Sequence, residues 1–581
     1  MDDNLICSRD LRFGLFDWLE LDKRADRDVI EPILDLSDRF AESHFLSHYK
    51  ASDIHEPSLD EDGNVHILPE IGEALAKYAE LGLFSASFSE ELGGFDLPFL
   101  ASAASFAHFA AANIATSAYP MLTAANARLI AEFGTQAQIN HFAIPQIEGR
   151  WFGTMCLSET QAGSSLADIR TRAEADGEDA LGQIYRLRGS KMWISGGDQD
   201  VSENIVHLVL AKVPDGEGNM PDGTNGLSLF LVPKFCPDGQ RNDISIAGLN
   251  HKMGYRGTAN CVLNFGENEG ASGWLIGKVG DGLRQMFLMM NEARISVGIG
   301  AAALAYRSHL LSVHYAKERL QGRLPQDRSG DQVAIIHHAD VRHMLLSQKA
   351  YAQGALALCL YCADLVDRQN DKKAAAMLGL LTPVAKTWPS EFGLAANDLA
   401  IQIHGGYGYA REFDVEQLWR DNRLNPIHEG TTGIQAMDLL SRKILRDGYA
   451  LELLGKAIAD TANRLKPDSE CADLTPCLAL AWEQITAALD SLRQAPQERS
   501  LDNATFFLRA FGHVVVGWIL LDQAILAATK AKSGEIDAHF AASKALTCRH
   551  FFETEIPRVN AWLAPVSQGC DTAAKAPIST F

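Results

Sequence analysis

The chain carries no excess of positive charge: 52 Lys and Arg stand against 74 Asp and Glu, a net charge of −22. A nucleic-acid surface needs a basic face for phosphates, so none is expected. Also missing is an unbroken apolar run of the roughly 18 residues that a membrane span requires. VVVGWILL at 514–521 is the longest candidate and falls far short. The start, MDDNLICSRDLRFGLFDWLEL, is acidic and amphipathic rather than basic and then apolar, so no signal peptide is expected. The ten cysteines are scattered, and the close pair Cys359 and Cys362 lies in a helical pattern with no second pair near it. That spacing speaks against zinc and fits free thiols in a reducing, cytoplasmic setting. The histidines of HHADVRH at 337–343 lack metal-ligand spacing and read as a solvated helix face. No metal is expected.

What is present is length and a change of texture along it. A chain of 581 residues exceeds a single core, so several domains are expected. Residues 1–150 are Ala-rich with helical periodicity and read as an N-terminal α-helical domain. From 151 to 283, runs such as IVHLVLAKV and LSLFLVPKF are bounded by Gly, Pro, Asn and Asp, which marks strands. Long helical patterns resume over 284–450, and residues 451–581 again read as helices, forming an extra C-terminal domain. GIGAAA at 298–303 resembles a dinucleotide-binding turn, but no strand precedes it and helical periodicity runs through it. It is not one.

The chemistry concentrates in two places. Residues 402–435, QIHGGYGYAREFDVEQLWRDNRLNPIHEGTTGIQ, hold a glycine cluster and then Glu429 ahead of Gly430-Thr431-Thr432. Glycines permit close backbone approach to a ligand, and a Gly-Thr-Thr step before an apolar-periodic run reads as a turn feeding a helix N-terminus. A carboxylate there is placed for proton abstraction beside backbone donors; the alternative is a helix cap with a solvated Glu. Second, MCLSETQAGSSLADIRTR at 155–172 is a small-residue loop whose Ser158, Gly163, Ser164 and Ser165 offer donors suited to phosphates or flavin edge atoms. GSKMWISGG at 189–197 sets Trp193 and Ile194 on alternating faces of a strand and adds the Ser195 hydroxyl.

These motifs, in this order, resemble those of the acyl-CoA dehydrogenases, and more narrowly a large bacterial branch with a C-terminal helical extension. The resemblance implies an α+β fold of N-terminal helical domain, middle β-barrel or sheet domain and C-terminal four-helix bundle, plus the extra helical domain. It implies FAD as cofactor, acyl-CoA as substrate, the trans-2-enoyl-CoA as product and an electron-transferring flavoprotein as acceptor. By the same resemblance Glu429 is the catalytic base, its backbone N–H helping to polarise the thioester oxygen. The FAD contacts implied are Met155, Leu157, Ser158, Gly163 and Ser164 on the loop, Trp193, Ile194 and Ser195 on the strand, and Gln402, Gly405, Gly406 and Thr431 in the later segment. Arg319 matches an arginine that reaches the flavin of a neighbouring subunit, which implies a homo-oligomer, a dimer being expected. Ser164, Asn291, Arg294 and Gly430 are the implied substrate contacts, Asn291 standing where the family pattern has Asp.

Some family members carry the base on the helix that here reads NEARIS, and the matching position is Ala293, which cannot act as one. Glu292 lies a hundred degrees around that helix and should point elsewhere. Two other readings stay open: an oxidase that reduces oxygen directly, and a DNA-associated flavoprotein of the same superfamily. The second needs a basic C-terminal domain, whereas residues 451–581 hold 12 Lys and Arg against 15 Asp and Glu, a net charge of −3.

Overall fold

The computed structural model describes residues 4–326, 328–464, 471–494, 496 and 499–581, with backbone alone at 287–290. The chain groups into two compact units, Glu31–Ala293 and Met1–Ile30 with Arg294–Phe581.

The unit Glu31–Ala293 joins helices to a sheet and to the short antiparallel pair β1 (Ser58–Leu59) and β2 (Val65–His66). β6 (Asn204–Lys212) and β7 (Leu227–Pro233) are the two most apolar runs of the region and are buried along nearly their whole length. They pair antiparallel from Val206↔Pro233 to Lys212↔Leu227. β3 (Trp151–Cys156) lies parallel to β6. β4 (Arg172–Asp179) and β5 (Gly182–Ser195) form an antiparallel pair, and β10 (Ala271–Leu275) hydrogen-bonds to both β7 and β5. The path β10-β7-β6-β4-β5 therefore closes on itself, which removes exposed edges. β8 (Ile244–Leu249) and β9 (Asn260–Phe265) continue outward from β5.

Against this sheet runs the helix Phe99–Phe133, whose path breaks at the buried Asn113. There the Asn113 side-chain oxygen accepts from the Thr116 N–H at 3.2 Å, restarting the helix with a cap. By length and composition this helix, together with Ala504–Ser533, could cross a membrane, which the sequence reading had not anticipated. In each, 83% of the most apolar window is buried inside the protein. Core burial accounts for their apolarity.

The other unit is helical. Ala339–Asp367 and Lys372–His404 pack along each other, and the last third of the chain adds Ala504–Ser533, Ala538–Thr554 and Arg558–Ser567. The first thirty residues, read above as the start of an N-terminal domain, belong here instead. Asp10 accepts from Lys544 Nζ at 3.0 Å and from Tyr306 and Gln353. Phe13 meets Phe540 edge-on at 5.2 Å, and Trp18 donates to Asp522 at 2.8 Å. Several of these partners lie more than five hundred residues away, beyond the reach of any local pattern.

Candidate active site

Glu429 sits on a turn built from several directions at once. Thr431 caps the following helix Thr432–Met437, its hydroxyl accepting from the Ile434 N–H at 3.4 Å. Ahead of that cap, Glu429 and Gly430 both take left-handed backbone, with φ 50° and 89°. This is natural for glycine, and a Cβ at position 430 would stand 2.5 Å from the Gln435 amide. For glutamate it costs energy and persists only where the surroundings over-determine it. They do: Gln435 donates to the Glu429 carbonyl at 3.1 Å, and the Thr432 N–H reaches back to the Pro426 carbonyl at 3.2 Å.

From below, the fully buried Lys386 donates to the Asn425 carbonyl at 2.7 Å and the Gly430 carbonyl at 2.6 Å, one on each side of Glu429. From the side comes a ladder of amides. His428 Nε2 donates to Asn425 at 3.0 Å, Asn425 to Asn422 at 2.8 Å, Asn422 to Asn397 at 2.5 Å, and Asn397 to the Ser308 hydroxyl at 2.5 Å. The Asn425 amide nitrogen is committed to Asn422, so its oxygen is the acceptor and His428 is the donor. Burial and the nearby Lys386 charge push the His428 imidazole down to about 3, so it is neutral.

The Glu429 carboxylate accepts no hydrogen bond among the described residues, and its own N–H donates none. Burial raises its pKa against the pull of Arg294 and Lys386. Arg294 is itself buried, pairs with Asp438 at 3.4 Å and keeps an Nε without a partner among the described residues. The turn thus presents a poised carboxylate, a free backbone donor and an incompletely used guanidinium. Sequence-predicted Arg294, Glu429, Gly430 and Thr431 come together here.

Gln402, Gly405 and Gly406 do not. They lie at and just past the far end of the helix Lys372–His404, about 24 to 30 Å along its axis from Lys386 at 1.5 Å per residue. The two glycines are exposed with open space around them. Tyr315 stacks on His404 at 4.3 Å, which brings the end of the helix Gly282–Glu318, and with it the exposed Arg319 one turn on, to this glycine corner. Asn291 is half-buried on that same helix, one turn before Arg294. Glu292 pairs with Arg128 at 3.2 Å and Ala293 is buried, as the helical geometry required.

In the unit Glu31–Ala293, β5 slips its register against β9 between Lys191 and Ile194. Trp193 stands in that bulge with φ 67° and is 59% exposed, while Ile194 is buried on the opposite face. A tryptophan laid bare on strained backbone is a surface for a ligand rather than a core side chain. Ser195 accepts from Asn260 at 3.2 Å. Met155 is half-buried on β3, Leu157 and Ser158 are half-buried at the start of the loop that follows it, and Gly163 and Ser164 are exposed on that loop. The loop is held by Glu159, which the sequence reading passed over. Its carboxylate accepts from the Arg170 N–H at 2.7 Å, the Thr171 N–H at 3.0 Å, the Thr171 hydroxyl at 2.6 Å and Lys191 at 3.0 Å. Lys191, Lys386 and the asparagine ladder were missed likewise; the available signal was a lone charge or amide inside an apolar run, as in LLTPVAKTW. A bare indole ring with exposed hydroxyls and amides fits a flavin ring and its phosphates.

Comparison with known proteins gives these surfaces a lineage. Residues 38–150, 154–267 and 280–444 match the N-terminal, middle and C-terminal domains of acyl-CoA dehydrogenase, and 454–577 match an acetyl-CoA dehydrogenase C-terminal-like domain. The chain is 36% identical to the 3-methylmercaptopropionyl-CoA dehydrogenase of Ruegeria pomeroyi, over 84% of each chain. It is 34% identical to the broad-specificity linear acyl-CoA dehydrogenase FadE5 of Mycobacterium tuberculosis, over 90% of this chain and 91% of that one. Its fold is that of Caenorhabditis elegans ACDH-11, solved with C11-CoA (TM-score 0.80, 19% identity, 96% and 93% covered). An acyl-CoA dehydrogenase of Bacillus anthracis, solved with FAD, shares it as well (TM-score 0.76, 20% identity, 96% and 90% covered). The chain belongs to the acyl-CoA dehydrogenase family, FAD-dependent oxidoreductases that act on the CH–CH group of acyl-CoA thioesters.

Proposed function

We propose that the protein desaturates an acyl-CoA to the trans-2-enoyl-CoA with Glu429 as the base, passing electrons to an electron-transferring flavoprotein. The observation that carries this reading is the Glu429 turn: a carboxylate raised by burial, with no hydrogen-bond partner among the described residues, on a backbone conformation that glutamate adopts only under constraint. An α-C–H is a weak acid, so the base must be desolvated and the thioester oxygen polarised. Glu429 takes the α-proton through its carboxylate and offers its unpaired N–H to the thioester oxygen. Arg294 holds the substrate beside it, with Gly430 allowing close approach; Asn291 and Ser164 are the further substrate contacts that the family resemblance implies. Bound FAD supplies the hydride acceptor for the β-hydrogen. Trp193, Ser158 and Ser195 would hold the flavin.

The dehydrogenase names of the relatives support a protein carrier over oxygen as the acceptor. The distance between the Glu429 turn and the Gly405–Arg319 corner supports a homodimer in which that corner serves the flavin of the second copy. Replacing Glu429 with Gln tests the core of the reading: FAD content and acyl-CoA binding are retained while turnover collapses. Turnover near the parent rate overturns the assignment. A panel of acyl-CoA thioesters, assayed with an artificial acceptor and then with oxygen alone, fixes the acyl class and separates dehydrogenase from oxidase.

A further inference from the structure

We propose that Lys386 is the positioning residue of the catalytic turn, a buried ammonium that clamps both flanks of Glu429 and keeps a positive charge facing its carboxylate. The inference rests on the reading of Glu429 as the base and adds the element that holds it.

A lysine has three N–H donors and a strong preference for water. Lys386 is wholly buried, yet no carboxylate lies within ion-pair distance of it among the described residues. Two of its donors go to carbonyls five residues apart in sequence, those of Asn425 and Gly430, and the loop between them carries Glu429. An unpaired buried cation is costly, and a neutral donor could satisfy two carbonyls. The charge is therefore the feature to explain, and the titratable groups around it supply the explanation. Glu429 and Glu391 act on Lys386 attractively, and Arg294 repels it. Glu429 in turn is faced by Arg294 and Lys386, with Asp438 and Arg442 behind Arg294 and the neutral His428 adjacent in the chain. Burial brings Lys386 down to about 8, so it remains mostly charged at neutral pH.

Asn425 joins the clamp to the ladder. Its carbonyl takes Lys386, its amide oxygen takes His428 and its amide nitrogen reaches Asn422. The left-handed Glu429 is thereby held at both ends by one cation and along one side by a rigid row of amides. Lys386 is assigned no contact with substrate or flavin. It acts through Glu429.

The test compares K386M, K386Q and K386R with the parent holoenzyme and with E429Q. In K386M, kcat falls about 10- to 100-fold, as expected when a reacting group is displaced slightly, while KM for acyl-CoA changes less than about twofold. The acid limb of the kcat/KM pH profile moves to higher pH by about one unit, because one of the two cations holding the carboxyl down is gone. K386Q keeps a donor without the charge and shows the same displacement of the limb, whereas K386R restores the parental limb. Amide hydrogen exchange across 427–434 quickens in K386M. Should K386M not accumulate as folded protein, K386Q carries the same reading. Parental kcat, acid limb and exchange in folded K386M or K386Q, alongside an inactive E429Q, overturn the clamp and leave the base intact. An active E429Q overturns the base, and the exchange measurement then still decides the clamp.

Discussion

Two glutamates, one buried and one half-buried but each served by a fully buried lysine, have been driven in opposite directions. In the unit Glu31–Ala293, Lys191 bonds the Glu159 carboxylate directly, three further donors join it, and the carboxyl is held down to about 2 despite the desolvation that opposes this. In the other unit, Lys386 spends its donors on backbone carbonyls, the Glu429 carboxylate is left without a hydrogen bond among the described residues, and burial raises its pKa. Desolvation acts the same way on both. What differs is whether hydrogen bonds reach the carboxylate or the chain around it. The first arrangement makes a strut for a loop; the second makes a base held in position and kept available.

This contrast can be broken at either end. The largest effect expected is on chemistry. E429Q lowers turnover by about 10³- to 10⁴-fold, the upper range for loss of a general base, with a flavin content equal to that of the parent. E159Q does the reverse, costing about 3 to 5 kcal/mol of stability in urea melts because Lys191 is left buried and unpaired, and loosening flavin retention through the loop.

Titration sharpens the same comparison through opposite signs. The folded Glu159 carboxyl lies near 2 against an ordinary 4.5, so its contribution of roughly 3 kcal/mol is complete above pH 4.5 and fades as pH falls towards 2. Glu429 is raised, so its contribution is complete below the ordinary value and is lost as pH rises through the folded one. Urea midpoints of each Gln variant against the parent, taken from pH 3.5 to 7, should diverge in these opposite directions. A smaller change comes from T431A, which removes the cap behind Glu429 at a cost of about 1 kcal/mol and lowers kcat more than it raises KM. The smallest is E292Q. Its half-exposed pair with Arg128 contributes within about 1 kcal/mol, and turnover stays near that of the parent.

Much of this molecule is written locally. IVHLVLAKV and LSLFLVPKF read as strands, and they form β6 and β7. Thr431 reads as a cap and is one. Gly405 and Gly406 read as bare backbone and are exposed. Glu292 points away from Ala293 and Arg294 because a helix turns by a fixed angle. Each of these follows from periodicity, turn chemistry or the missing Cβ of glycine, properties carried by a few adjacent residues.

Other features depend on partners that no local pattern names. A strand pattern shows where Trp193 lies, but the bulge that exposes its ring comes from the register that β5 takes against β9, some seventy residues on. The N-terminal helix shows an acidic residue at Asp10, and only packing reveals Lys544, Tyr306 and Gln353 around it. Glu429 was recognisable from its neighbours in sequence, whereas its raised carboxyl, its strained backbone and the Lys386 clamp were not. The sequence by itself determined where strands, helices, caps and bare glycines would lie, because those depend on short-range sterics and hydrogen bonding. Tertiary structure alone decided which buried charges meet a partner and which are left poised, because desolvation and Coulomb energies depend on distances through space that chain separation does not encode.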